Sequence, residues 1–203
     1  MSSPRTRRRE KLGPDAAVRR DILAAASTIL REHGIGKLSI GAVLEEAALG
    51  TRAFYRHFDS KDDLLTALFL DMARAEERRL RRRMASAATE VDAVAAWIDG
   101  RLDLAFDHAV KSDLRRVSIQ AQSQSSALIQ PAYAEMLKPL GEALQRGLRS
   151  GVFHDVDPVT DAQFIHGVVW AGINRHWATG DCDRNVLRER MLQFCLRGLG
   201  VRA

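Results

Sequence analysis

Apolar residues in this chain recur at three- and four-residue steps almost from end to end, the spacing of one face of an α-helix. The alternating, β-branched runs that would announce strands are missing. From Asp15 onward, Val18, Ile22, Ala25, Ala26, Ile29 and Leu30 form one stripe that stops at His33-Gly34, which predicts a first helix. Ser39 stands where an N-cap is wanted, and Ile40, Val43, Leu44 and Ala47 follow at helical spacing, so a short second helix is expected over 40–47. The step Ala48-Leu49-Gly50 interrupts it, and a third helix is expected over 51–57 with Phe54 and Phe58 one turn apart. Two short helices joined by a tight, Gly-containing turn form a helix-turn-helix. Val43, Ala47, Leu49, Phe54 and Phe58 are expected to close its small core.

After Asp59-Ser60 a long helix carries Leu64, Leu65, Leu68, Phe69 and Met72 inward and runs into the Arg-rich stretch 78–83. Further helices are expected near 91–110, 113–128, 132–150, 158–178 and 183–199, with Pro131, Gly151 and Gly180-Asp181 as separators. Asp157-Pro158 is a strong helix start, because Asp accepts from an exposed backbone N–H and Pro at the first position loses a donor that had no partner. Residues 1–14 mix Arg, Ser, Pro and Gly without periodicity and read as a flexible basic arm. The expectation is an all-α chain: an arm over 1–14, a three-helix helix-turn-helix domain over 15–61, and a larger helical domain over 62–203.

Charge sharpens that division. The net +5 comes entirely from residues 1–61, which hold 12 basic and 7 acidic side chains, while residues 62–203 hold 19 of each. A basic end on a neutral body suits a segment that meets a polyanion, joined to a body with another task. At 46% apolar and 28% charged, the chain has enough apolar surface to bury a core and is not a disordered polymer. Its longest uncharged stretch, 117–134, is rich in Gln and Ser and offers no run of the roughly 20 apolar residues that span a bilayer. The Arg-rich N-terminus has no apolar run behind it, unlike a secretory signal. Cys182 and Cys195 do not make a disulfide framework. A cytoplasmic protein without membrane association follows.

The segment 38–65 carries the most specific pattern: Ser39, Gly50, Thr51, Arg52, then Tyr55-x-His57-Phe58, then Ser60-Lys61 and Leu64. It resembles the DNA-binding signature of the TetR family of transcriptional regulators, over about 45 residues from the first helix to the start of the fourth. Two positions depart from that pattern: Ala48 stands where the family usually carries Gly, and Gly50 where it usually carries Ser or Thr. Ala48 is less free to turn left-handed, and Gly50 lacks a capping side chain, a task Thr51 is placed to assume.

Physical chemistry gives these residues separate roles. The N-terminal end of the second helix of a helix-turn-helix enters the major groove, so Gly50, Thr51, Arg52 and Arg56 are the candidate base or near-base groups. The Arg52 guanidinium fork matches guanine O6 and N7. Tyr55 and His57 suit phosphate oxygens, which set register rather than sequence. Lys61 opens the next helix, where free N–H groups already favour an anion. Ser39 caps the second helix and is placed to touch the opposite flank. Taken singly, Tyr55 and His57 read equally well as surface residues and Arg52 and Arg56 as a solvated face; their order together with the charge asymmetry favours DNA. The arm residues Arg5, Arg7, Arg8, Arg9 and Lys11 fit either a DNA-contacting arm or a solubilising tail. The second cluster, Arg78, Arg79, Arg81, Arg82 and Arg83, lies too far along the helix from Lys61 to share the same phosphates and reads as a solvated face paired in part with Glu76 and Glu77.

The resemblance implies that the last two helices pair with their copies in a homodimer, through Phe164, Val168, Leu187, Met191, Phe194 and Cys195. Such a dimer would set two recognition helices roughly 34–36 Å apart on a near-palindromic double-stranded operator. It also implies a repressor released by a small, largely apolar effector. The candidate pocket residues, chosen by position as apolar wall plus a few polar groups, are Trp97, Arg101, Phe106, Gln120, Gln124, Tyr133, Met136, Trp170 and Asn174. A body that only dimerises or binds a protein partner is the alternative. An enzyme is the rival class, since His154, Asp155, Asp157, His166, His176 and Cys182 bear metal-capable groups. Their spacing matches no zinc, hydrolase or phosphate-loop pattern, so neither catalysis nor a metal or other cofactor is expected.

Overall fold

In the computed structural model, residues 15–107, 126–180 and 182–201 are described, Ser126 without its side chain. They form eight α-helices and one 3-10 turn, with no strand among them. The chain separates into two compact units, Met1–Leu64 and Leu65–Ala203.

In the first unit, α1 (Ala16–His33) starts where the Asp15 carboxylate accepts from the Ala17 N–H at 2.9 Å. It ends at Gly34, whose φ of 80° lets its N–H reach the carbonyls of Ile29 and Leu30. Its stripe Ile22, Leu23, Ala25, Ala26, Ile29 and Leu30 is buried, as the periodicity required. After a 3-10 turn, α2 (Ile40–Glu46) begins with the Ser39 hydroxyl accepting from Ala42 at 3.1 Å. It closes in a Schellman motif: the Leu49 N–H donates to Leu44 O and the Ala48 N–H to Glu45 O. That motif demands a left-handed residue, and Ala48 supplies it at φ 52°.

The third helix is shorter than its pattern suggested. α3 covers Thr51–Phe54 only, and residues 55–57 tighten into a turn closed by His57 N–H to Phe54 O at 2.8 Å. The tightening brings Phe58 back against Phe54, ring centroids 5.6 Å apart, with the Arg19 guanidinium 5.2 Å above the Phe58 ring. Phe54, Phe58, Val43 and Leu64 are buried; Ala47 and Leu49 are only half-buried.

α4 (Lys61–Met84) starts in the first unit and continues into the second. Ser60 Oγ accepts from the Asp63 N–H while the Asp63 carboxylate accepts from the Asp59 N–H, so both ends of the turn are capped. In the second unit α5 (Glu90–Phe106) opens with a Thr89–Asp92 capping box. α6 (Ser126–Ser150) continues past Pro131 and Pro139, which corrects the reading of Pro131 as a separator. Each ring removes a single donor to the carbonyl four residues back. The apolar run Met136, Leu137, Leu140, Ala143 and Leu144 is buried in the core on the same helix, which offsets that loss. α7 (Pro158–Thr179) is capped by Asp157, which accepts from Thr160 at 2.7 Å, and ends at Gly180 in the left-handed conformation. α8 (Arg184–Gly198) is capped by Asp183. The helix expected over 113–128 lies largely outside the described residues, as does Asp181.

These helices share one core, centred on Trp97, Ile98, Leu102, Leu140, Phe153 and Val169. Arg188 grips Asp99 with two hydrogen bonds at 2.6 and 2.9 Å, tying α8 to α5. The Arg-rich end of α4 is paired in part, with Arg79 on Glu76 and Arg81 on Glu77. Arg81 also bonds Glu142 on α6 and Arg83 pairs with Asp103 on α5, two partners the sequence did not suggest.

An αL alanine costs about 1–2 kcal/mol relative to its relaxed conformation, part of which Gly gives back through a floppier unfolded chain. Ala48→Gly is therefore expected to stabilise the protein by about 0.5–1 kcal/mol in urea unfolding; a lowered midpoint would contradict the strain.

Candidate nucleic-acid interface and effector cavity

Gly50 caps α3 with extended backbone (φ −89°, ψ 158°) and no side-chain hydrogen bond, and a Cβ built there meets nothing within 4 Å. The start of α3 is open to an incoming group. Thr51, Arg52, Tyr55 and Arg56 follow, all exposed, and neither arginine has a described partner within the protein. Tyr55 is a large ring left 56% exposed, its edge against Phe54 at 5.3 Å, so Phe54 fixes its direction while its face stays free. His57 is half-buried and its Nδ1 is enclosed without a partner. Lys61, at the first position of α4, is half-buried, and Ser39 is exposed with its oxygen already engaged as a cap. The first unit thus offers two uncommitted guanidinium groups, a free aromatic hydroxyl and a helix-opening lysine, a set that suits a phosphate backbone and base edges.

The second unit contains a cavity of about 440 Å³ between α4, α5, α6 and α7. Phe69, Met72, Leu104, Ile129, Met136 and Trp170 make its apolar wall; Glu76, Arg79, Arg101, Tyr133 and His166 make its polar part. Of the residues chosen from sequence, Arg101, Tyr133, Met136 and Trp170 line it together. Trp97 is fully buried behind the wall, its ring 6.3 Å from that of His166. Phe106 stacks on His176 at 3.8 Å, and Asn174 is exposed; neither lines the cavity. Gln120 and Gln124 lie outside the described residues. A larger groove of about 670 Å³ between α6 and α7 is lined by Leu137, Pro158, Val159 and Ala162 together with exposed Lys138, Glu142, Arg146 and Arg149.

Sequence reasoning missed Glu76, Arg79 and His166. The signal was there for Glu76, which continues the Phe69, Met72, Ala73 stripe at helical spacing and so puts a carboxylate on an apolar face. Glu76 Oε1 accepts from Arg101 at 2.6 Å and from Arg79 at 2.9 Å, and Oε2 accepts from Arg79 at 2.7 Å. Burial opposes the charge on Glu76, but these arginines outweigh it and hold the carboxyl below its ordinary range. His166 is also lowered, to about 4, first by burial and then by the Arg101 charge, so its ring, unlike the Glu76 carboxylate, is neutral at pH 7. Burial raises the Tyr133 phenol.

The residues assigned to subunit pairing fall into two groups. Phe164 and Phe194 are each 65% exposed, and Val168 and Leu187 are half-buried. Met191 and Cys195 are buried in the core of their own protomer, Met191 filling the space over Gly172. Of the metal-capable groups, Asp157 is committed to capping α7, and no group of three His, Cys, Asp or Glu among the described residues could hold a metal ion. No described helix is long and apolar enough to cross a membrane.

The family profile described as "Bacterial regulatory proteins, tetR family" matches residues 22–68. An uncharacterised HTH-type transcriptional regulator of Mycobacterium tuberculosis is 24% identical over 175 residues, covering 76% of this chain and 81% of that one, and one from Mycobacterium bovis matches equally. Among solved structures, the fatty acid degradation regulator FadR from Bacillus halodurans aligns with a TM-score of 0.65 at 22% identity, over 95% of this chain and 100% of its own. FadR from Bacillus subtilis in complex with stearoyl-CoA gives 0.68 at 22%, over 88% and 98%. RolR in complex with resorcinol gives 0.67 at 19%, over 92% and 89%.

The depressed basicity of His166 has a thermodynamic consequence. Its folded value lies below the ordinary value of 6.5, so the stability it contributes is complete above 6.5 and is lost as pH falls toward 4. His166→Gln is expected to flatten that part of the stability profile in denaturant titrations between pH 6.5 and 4; an unaltered slope would show that His166 titrates normally.

Proposed function

This chain belongs to the TetR family of bacterial regulatory proteins and is a transcriptional regulator, and we propose that it is a repressor that grips a near-palindromic operator as a homodimer and lets go when a small effector fills the cavity of its second unit. The observation that carries the DNA-binding half is the uncommitted face at α3: Arg52 and Arg56 exposed without intramolecular partners, beside an outward Tyr55. In this reading Arg52 reads a base edge, Gly50, Thr51 and Arg56 approach the groove, and Ser39, Tyr55, His57 and Lys61 hold phosphates.

The exposed rings of Phe164 on α7 and Phe194 on α8 support self-association, since a two-fold dimer covers the same patch on both copies. Val168 and Leu187 join them at the surface, whereas Met191 and Cys195 back the interface from inside. Two heads on a two-fold axis read inverted half-sites.

The cavity supports control by a small molecule rather than by a partner protein. Its volume falls in the range of ligand sites, its wall is mostly apolar, and it carries a small polar cluster. The TetR-like structures holding stearoyl-CoA and resorcinol support the same reading. Because α4 begins at Lys61 and supplies Phe69, Met72, Glu76 and Arg79 to the cavity, one helix serves both a proposed phosphate contact and the effector. Coupling between such sites is typically about 1–3 kcal/mol, or roughly 5- to 150-fold in operator affinity.

Arg52→Ala is expected to weaken operator binding roughly 5- to 150-fold in fluorescence anisotropy, from about 1–3 kcal/mol of lost base discrimination, without lowering thermal stability. Tyr55→Phe combined with His57→Ala should abolish specific binding, and retained affinity would remove these residues from the interface. Phe164→Asp with Phe194→Asp is expected to give monomers in sedimentation equilibrium; an unchanged dimer would place the interface elsewhere.

A further inference from the structure

Resting on the reading of the second unit as an effector-binding body, we infer that the effector is a small organic acid whose carboxylate lands on Arg101 and whose apolar part lies on Phe69, Met72, Ile129 and Trp170. The charges facing the cavity can be counted element by element among the described residues. α4 contributes Glu76 and Arg79, α5 contributes Arg101, and Tyr133 on α6 and His166 on α7 are neutral at pH 7. One negative group against two positive ones leaves a surplus of one positive charge in a mostly apolar wall.

That surplus sits on Arg101. Arg79 is spent, since its Nε and Nη2 bind Glu76 and Nη2 also donates to the Gly100 carbonyl at 2.6 Å. Arg101, with only 7% of its surface exposed, donates a single described hydrogen bond, Nη1 to Glu76, and its Nε is buried with no partner. A guanidinium carries five N–H donors in a planar fork. A buried fork left so far short of acceptors is costly, and a carboxylate is the group that matches it by charge and by two-point geometry. The Arg101 charge also acts across the cavity, favouring the neutral form of His166 and working against the burial that raises the Tyr133 phenol.

Size and charge narrow the class. At about 30 Å³ for each water-sized group, 440 Å³ holds roughly fifteen non-hydrogen atoms. A monoacid with a short alkyl or single-ring body fits that space. A dianion would overshoot the single surplus charge, and a cation would meet like charge.

The test uses the full-length protein with decanoate and 4-phenylbutyrate as probes, each against its neutral amide, titrated calorimetrically at pH 7. At least one acid is expected to bind at least tenfold more tightly than its amide. Glu76→Gln raises the surplus from one charge to two and is expected to tighten the acid further while leaving the amide unchanged; a merely structural Glu76 would weaken both. Arg101→Gln leaves Glu76 paired with Arg79 and the cavity without net charge, and is expected to erase the preference for acid over amide. Equal binding of acid and amide, no binding of either acid, or a weaker acid in Glu76→Gln would each overturn the inference. Its fate is separable from that of the repressor reading. Acids that bind as stated yet leave the operator complex intact refute release and keep the acid site. A neutral compound that releases the operator, with neither acid bound, keeps release and refutes the acid.

Discussion

Glu76 puts a charge on a helix face that otherwise holds Phe69, Met72 and Ala73, and a carboxylate so placed persists only because Arg79 and Arg101 reach it with three hydrogen bonds. The constraint propagates. Arg101 must come from α5 at a fixed height, and Arg79 in turn takes the Gly100 carbonyl of the same helix. Gly100 allows that approach, since a Cβ there would sit 2.7 Å from Leu80. The α4–α5 contact is therefore pinned in register by polar groups within an apolar core, and the space left beside it is the cavity. Removing one arginine from such a buried cluster costs about 3–5 kcal/mol, so the network is both a structural clamp and the chemical character of the proposed site.

The division of labour along the chain follows charge. The first unit holds its fold with an apolar stripe, two aromatic rings and three helix caps, none of which uses Arg52, Arg56 or Tyr55. Those side chains are surplus to stability, the condition under which they can be committed to DNA. The second unit is close to balanced, with 19 basic against 17 acidic side chains, and pairs Arg79, Arg81, Arg83, Arg101, Arg184 and Arg188 with its own carboxylates.

Much of this was legible in the sequence, and the reasons differ by element. Local signals read well: the Ser39 and Asp157 caps and the glycines ending α1 and α7 act within four residues, and the structure places each as expected. Signals that depend on distant chain read poorly. Pro131 looked like a stop because the local penalty is visible and the apolar core contact that offsets it is not. The shortened α3 arises from Phe58 folding back on Phe54 and Arg19, a packing event outside any helical pattern. Glu76 was read as a partner for surface arginines because its decisive neighbour, Arg101, lies 25 residues away on another helix. For the last two helices, the resemblance grouped all six pairing residues together, but only packing separates the inward Met191 and Cys195 from the exposed Phe164 and Phe194.

The central claim is that this protein is a dimeric reader of specific DNA sites. Footprinting of the native protein across its genome tests that most directly. The account predicts discrete protected sites built of inverted half-sites about one helical turn, or a multiple, apart, and their loss when the heads carry Arg52→Ala. Protection spread without sequence preference, or single half-sites without a symmetric partner, would contradict it.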